Sequence, residues 1–442
     1  MSGINRRDFV KLSGAIAATA IVSMSQVVTG GTTKKVVVIG GGTGGATAAK
    51  YIRMADPSIA VTIVEPNRQY HTCYFSNEVL SGERSIESIR FGYQGLEKHG
   101  ITVVHDRATG IDAKAKTVEL ESGKTLPYDR AIVSPGIDFK WEAIEGYDAE
   151  VAEKIPHAWQ AGEQTVTLRK QLQAMRDGGK VIIVPPPNPF RCPPGPYERV
   201  SQIAMYLQHH KPKSKILILD PKDKFSKFGL FTTAWKRLYG YETDNSLIEW
   251  ISGADGGKVS AVNAGAMTVV HGEFEDATKG DVINIIPPQK AGKIAFDASL
   301  VEGDWCPVDK KTFESTLHAG IHIIGDAASA AKMPKSGYSA NSQAKVVAAA
   351  VVDYLNDREP GEPSYVNTCY SIAGKDYAFS VAAVYRLSAD GKTIAGVKGA
   401  GGLTPADASP EMLKREVAYA RSWYANITDD IFGSSPDRVG KQ

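Results

Sequence analysis

An α/β fold is predicted, made of two strand–helix–strand units and a C-terminal α+β segment, and three stretches predict it. They are Lys34 to Glu65, Lys180 to Asp220 and Gly320 to Ala328, each an apolar β-branched run that feeds a turn of unusual composition.

In the first stretch, Val36 to Ile39 read as a buried parallel strand, the small residues after Gly45 as a helix packed close to it, and Val61 to Val64 as a second strand. Gly40-x-Gly42-x-x-Gly45 falls where strand passes into helix, so backbone N–H groups and the positive helix end converge on a spot suited to a pyrophosphate. Glu65 ends the second strand 20 residues past Gly45, where a carboxylate accepts hydrogen bonds from an adenosine ribose. The unit therefore reads as a Rossmann-like dinucleotide-binding one, with FAD and NAD both open at this point.

A polar loop at 67–82 follows and holds Cys73 within His71-Thr72-Cys73-Tyr74. Strands are expected at 101–104 and 116–120, with a hairpin turn at Ser122-Gly123-Lys124, and again at 128–136. The second stretch reads as a helix at 162–175, a strand at 180–184, a helix at 197–209 and a strand at 215–220. A second glycine motif would sit between its strand and helix. The chain instead reads Pro185 to Pro196, where prolines remove the N–H donors a pyrophosphate needs and stiffen the turn. NAD binding is not expected, and the unit reads as a dinucleotide fold put to another use.

A strand at 281–286 leads on to the third stretch, an apolar strand that ends in Gly325-Asp326. A carboxylate fixed at a strand end beside the first glycine loop suits the ribityl chain of FAD, and this pairing assigns FAD rather than NAD. A helix at 339–354 follows, its N-terminus suited to the electron-rich edge of a reduced flavin. The last segment holds Cys369, strands at 379–385 and 393–397, and an amphipathic stretch at 411–425. The expected order is thus a leader at 1–30, a FAD-binding domain at 31–145 and 288–358, a second Rossmann-like domain without an NAD site at 146–287, and a flavin-covering or interface domain at 359–442.

The chain has 442 residues, 43% apolar and 23% charged, the composition of an ordinary globular protein of two or three domains. Its formal charge of +2 is carried by the leader, through Arg6, Arg7 and Lys11 against Asp8, so nothing suggests nucleic acid or an anionic membrane as partner. Arg6-Arg7-Asp8-Phe9 before the short, mildly apolar run Leu12 to Met24 fits a twin-arginine export signal better than a membrane span. That route carries proteins already folded around a cofactor, and it places the chain in the periplasm with no stable membrane insertion.

Four cysteines remain: Cys73, Cys192, Cys306 and Cys369. None forms Cys-x-x-Cys or Cys-x-x-Cys-His, so any haem belongs to a partner, and no metal site is expected. Cys192 and Cys369 lie 177 residues apart, and spacing alone leaves three readings open: a structural disulfide, two free thiols, or a redox disulfide over the flavin. Cys306, in Asp304-Trp305-Cys306-Pro307, reads as a core thiol.

The whole chain resembles the flavoprotein subunit of flavocytochrome c sulfide dehydrogenase, a glutathione reductase-like branch that includes sulfide:quinone oxidoreductases. The resemblance is carried by the leader, Gly40 to Gly45, Tyr70 to Cys73, Phe190 to Glu198, Gly325-Asp326-Ala327 and Asn367 to Tyr370. It implies that Cys73 is joined to the flavin as a thioether, that Cys192 and Cys369 form the redox disulfide, and that a c-type cytochrome subunit takes the electrons. Hydrosulfide would then attack the disulfide and leave a persulfide on one cysteine. Glu198, six residues past Cys192, is either a proton carrier there or an exposed helix-start residue. Two rival readings stand beside it, a membrane-surface sulfide:quinone oxidoreductase and a non-catalytic flavin electron-relay subunit.

Overall fold

Val36 to Ile39 are buried on both faces, as a central parallel strand requires. In the computed structural model, which describes residues 33–433, they belong to β1 (Lys35–Ile39), followed by α1 (Thr43–Ala55) and β2 (Ala60–Val64). The leader expected at 1–30 lies outside the described residues. A short helix, α2 (Asn77–Ser81), and strands β3 (Thr102–Val104) and β4 (Arg130–Val133) come next.

The second unit comprises α3 (Glu163–Ala174), β5 (Lys180–Val184), α4 (Gly195–His210), β6 (Lys215–Leu219), α5 (Phe228–Tyr239), β7 (Ile248–Ile251) and β8 (Val282–Ile285). Its sheet is parallel, in the order β7-β6-β5-β8. The chain then re-enters the first sheet as β9 (Ile321–Ile323), which completes a five-stranded parallel order β9-β4-β1-β2-β3. Asp326 is thereby carried to the edge where β1 meets the glycine turn, as the paired motifs predict.

Helix α6 (Gly337–Leu355) starts two residues earlier than its alanine-rich pattern suggests, because the Ser336 side chain caps it by accepting from Ser339 N at 3.1 Å. It packs along α1. An antiparallel sheet follows: β10 (Ser364–Gly374), β11 (Tyr377–Leu387) and β12 (Ile394–Leu403). The final helix, α7 (Pro410–Phe432), runs well beyond Ala425. Its extra turns bring the Asp430 carboxylate to three donors: Tyr51 Oη at 2.6 Å, Asn341 Nδ2 at 2.8 Å and Lys345 Nζ at 2.9 Å. Among the described residues, no helix is long and apolar enough to cross a membrane.

Candidate functional site

The glycine turn is built by close approach. A Cβ on Gly45 would stand 1.9 Å from Gly40 O, so only glycine lets α1 pack this tightly on the turn, and Gly40 itself has a φ of +97°. Glu65 is buried at the end of β2, where Oε2 accepts from Gly41 N at 2.9 Å and Oε1 from Asn67 N at 2.9 Å. Tyr93 closes over Gly41, and its buried hydroxyl has no hydrogen-bond partner among the described residues. Gly42 faces the Tyr70 ring.

Gly325, with a φ of +75°, turns the chain out of β9, and its N–H donates to Gln343 Oε1 at 2.8 Å. Asp326 Oδ1 is buried without a donor among the described residues, an arrangement that costs about 1–3 kcal/mol unless something supplies one. Burial pushes this carboxyl up, and Arg191 and Lys335 pull it back. Lys335 lies 3.6 Å from the Trp305 ring and donates to Asp326 O at 2.6 Å, while burial brings its ammonium down to about 8. An orphaned acceptor opposite the glycine turn fits the hydroxyls of a ribityl chain, so the residues present fit FAD.

Three of the four cysteines meet at one cavity of about 70 Å³, which Glu198, Trp159 and Trp423 help to line. Cys73 comes from the turn before α2, where Ser76 Oγ donates to Cys73 O at 2.6 Å. Cys192 sits in the proline turn between β5 and α4 with a φ of +57°, and Cys192 N donates to Lys335 O at 2.8 Å. Gly195 leaves room for it, since a Cβ there would stand 3.0 Å from Cys192 Sγ. Cys369 comes from β10.

All three are thiols here, and burial pushes each one up. At Cys192 the neighbouring Cys369, Cys73 and Glu198 push further in the same direction, with Arg191 opposing. At Cys369 the Lys227 ammonium is the opposing charge. Cys306 lies elsewhere, fully buried in the core beside Ala327, with its thiol pushed up to about 12 by burial.

Glu198 stands in the first turn of α4, and its side chain faces the cavity rather than solvent. Ile372 N donates to Oε1 at 2.9 Å and Asn77 Nδ2 to Oε2 at 3.0 Å, and burial raises the carboxyl. Asn77 in turn accepts from Arg199 Nε at 3.1 Å. Arg199 is fully buried, is held by His157 O, Ala158 O and Asn284 Oδ1, and is brought down to about 9 by burial. Sequence reasoning missed Asn77, Arg199 and Lys227. None lies in a glycine, proline or cysteine signature, and only the turn that carries Cys73 places Asn77 here.

In the second unit, Asp220 follows β6 at the place where Glu65 follows β2. Its carboxylate is occupied by Tyr197 Oη at 2.6 Å, Lys222 Nζ at 2.6 Å and Trp250 Nε1 at 3.2 Å.

Two parallel dinucleotide-fold sheets, with a glycine cradle at the first and a cysteine-bearing turn at the second, define a flavoprotein of the pyridine nucleotide-disulphide oxidoreductase class, and residues 34–184 match the family of that name. Residues 165–287 match the family described as "Sulfide dehydrogenase [flavocytochrome c] flavoprotein chain, central", and residues 361–432 match "Flavocytochrome c sulphide dehydrogenase, flavin-binding". The chain belongs to the flavoprotein family of flavocytochrome c sulfide dehydrogenase and is an oxidoreductase.

Among its relatives is the sulfide dehydrogenase flavoprotein chain of Chlorobaculum thiosulfatiphilum, 64% identical over 36 residues that make up 8% of this chain and 75% of that sequence. The mitochondrial sulfide:quinone oxidoreductase of Dictyostelium discoideum is 22% identical over 73% of each chain. The sulfide:quinone oxidoreductase structure from Aquifex aeolicus shares the fold, with a TM-score of 0.66 and 18% identity over 91% of this chain and 93% of that one.

Proposed function

We propose that this chain oxidises sulfide through a Cys192–Cys369 redox disulfide and passes the electrons, by way of FAD, to a c-type cytochrome subunit in the periplasm. One observation carries the reading: Cys73, Cys192 and Cys369, far apart in sequence, line a single small cavity together with the half-buried Glu198 carboxylate. A cavity of about 70 Å³ has room for a small inorganic sulfur species beside the cysteines.

Gly40, Gly42, Gly45 and the start of α1 would hold the pyrophosphate, Glu65 the ribose, and Gly325-Asp326 the ribityl chain. Cys73 would attach the flavin covalently, and Arg191 stands beside it. FAD held by these residues would supply the conversion of a two-electron oxidation at the cysteines into single-electron transfer to haem. The second unit would bind no nicotinamide. Its proline turn presents Cys192 instead, and Asp220 is already committed to Tyr197, Lys222 and Trp250.

Quinone reduction at a lipid surface is the less favoured acceptor, because α7 turns its apolar residues Leu413, Val417, Ala420, Tyr424, Ile427 and Ile431 inward. Anaerobic sulfide titration of the purified flavoprotein tests the reading. Sulfide is expected to bleach the flavin, and reoxidation is expected with cytochrome c rather than a soluble quinone. A flavin that sulfide leaves oxidised sinks it in favour of a relay subunit.

Glu198 is the proton carrier of this reading. The groups facing it are Asn77, Glu78, Lys227, Cys192 and Cys369. Because burial raises its carboxyl, kcat/KM for sulfide is expected to climb with pH through an ionisation above the ordinary glutamate range, separate from that of hydrogen sulfide. Glu198→Gln is expected to remove that limb and lower the plateau about 10²-fold. The stability sign runs the other way. A carboxyl raised in the fold loses stability as pH climbs past the ordinary glutamate value, so the amide is expected to leave Tm at neutral pH unchanged or higher. A pH profile of Glu198→Gln that matches wild type would reject the role.

A further inference from the structure

Lys227 breaks two local rules. It is the N-cap of α5 with a φ of +61°, a left-handed conformation that lysine seldom adopts, and it places a cation at the positive end of a helix dipole. Such exceptions persist where the surroundings over-determine them, and they cluster at functional sites. The conformation delivers Nζ to β10, where it donates to Ser371 Oγ at 3.1 Å and Cys369 O at 3.3 Å and stands 4.0 Å from Cys369 Sγ. The thiol itself is turned to Tyr370 O at 3.7 Å. Lys227 is therefore behind Cys369, outside the cavity wall, with its charge on the sulfur that faces the cavity.

The two sulfurs of the pair differ in what surrounds them. Cys192 shares Arg191 with Cys73 and Asp326, the flavin side of the cavity. Cys369 has Lys227 as its cation instead, and the Glu198 carboxylate acts on both sulfurs.

We propose that Lys227 is a positioning residue of the disulfide reaction, whose charge directs the anionic sulfur nucleophile to Cys369 rather than Cys192. The proposal rests on the sulfide-oxidising reading above. Hydrosulfide forms a bond to Cys369 Sγ, the Cys369–Cys192 bond breaks, and its electron pair leaves on Cys192 as a thiolate beside Arg191. Cys369 is left as the persulfide. The nucleophile's single negative charge spreads over three sulfurs in the transition state, and the ammonium lies next to the middle one.

The test mixes oxidised holoenzyme with one equivalent of sodium sulfide anaerobically, follows flavin bleaching by stopped flow, and maps the extra sulfur by acid quench, alkylation and peptide mass. The persulfide is expected on Cys369. Lys227→Met is expected to slow bleaching about 10- to 100-fold, and Lys227→Arg to stay within about threefold of wild type, since a partly exposed charge at this range is screened. Persulfide on Cys192 overturns the proposal, as does a Lys227→Arg variant as slow as Lys227→Met, which marks a packing role. If Lys227→Met fails to fold, the sulfur map and the arginine variant still decide. Wild-type enzyme that sulfide does not bleach, with no persulfide on either cysteine, instead defeats the parent reading.

Discussion

Replacing either Cys192 or Cys369 with serine is expected to abolish flavin bleaching by sulfide, by at least about 10³-fold, which corresponds to ~4 kcal/mol of lost transition-state stabilisation. Serine is nearly isosteric with cysteine, so the small cavity keeps its shape, but an oxygen at either position cannot form the bond that hydrosulfide must break. The left-handed Cys192 backbone is fixed by its own N–H to Lys335 O and by the following Gly195 N–H to Cys192 O, and neither bond involves the sulfur. Cys369 is likewise fixed by its pairing with Val381 across the β10–β11 ladder. Flavin content, visible spectrum and Tm are therefore expected to match wild type, so lost bleaching reports chemistry and not unfolding. A serine variant that bleaches at the wild-type rate removes the disulfide from the mechanism and leaves the pair a structural one.

The dinucleotide-binding halves were legible in the sequence because their signals are local. Val36 to Ile39 bury both faces, the Gly40–Gly45 turn has no room for side chains, and a β-branched run ending in Gly325-Asp326 points back to the same sheet. The proline turn at 185–196 was legible as an exception to that pattern, and it carries Cys192.

Strand β10 was not legible. Its buried positions follow no simple alternation, because one end lies under α6 and the other against α4, so no period-2 signal marks the strand that holds Cys369. Helix α5 has two phenylalanines, a glycine and two threonines in its first turns, and nothing acidic where a helix should start. Glu198 was ambiguous for a different reason. A helix-start glutamate is normally solvated, and only the tertiary approach of α2 and β10, through Asn77 and Ile372, takes it out of water. Local rules marked the candidate cofactor cradle. The contacts around the cysteine pair are long-range and appear only in the folded chain.

Cys73→Ala is expected to convert a flavin that cannot be extracted into one that is wholly extractable. In the wild-type protein, acid precipitation should leave the yellow colour in the pellet and flavin fluorescence on the chain in a denaturing gel. In the alanine variant both should pass to the supernatant as free FAD. The native variant is still expected to purify yellow, because the groups that would hold the cofactor non-covalently are untouched: the glycine turn, Glu65 and the orphaned Asp326 oxygen. A thioether would add retention, which matters where lost cofactor cannot be replaced.

The position suits that task. Cys73 is half-buried in the cavity lining with Arg191 close by, and its thiol is raised by burial. Held as a thioether, Cys73 would carry no thiol to exchange with the neighbouring pair, so attachment and turnover would be kept on different sulfurs. A wild-type pellet that turns white on acid treatment would reject the thioether and return Cys73 to the status of a loop thiol, without touching the case for Cys192 and Cys369.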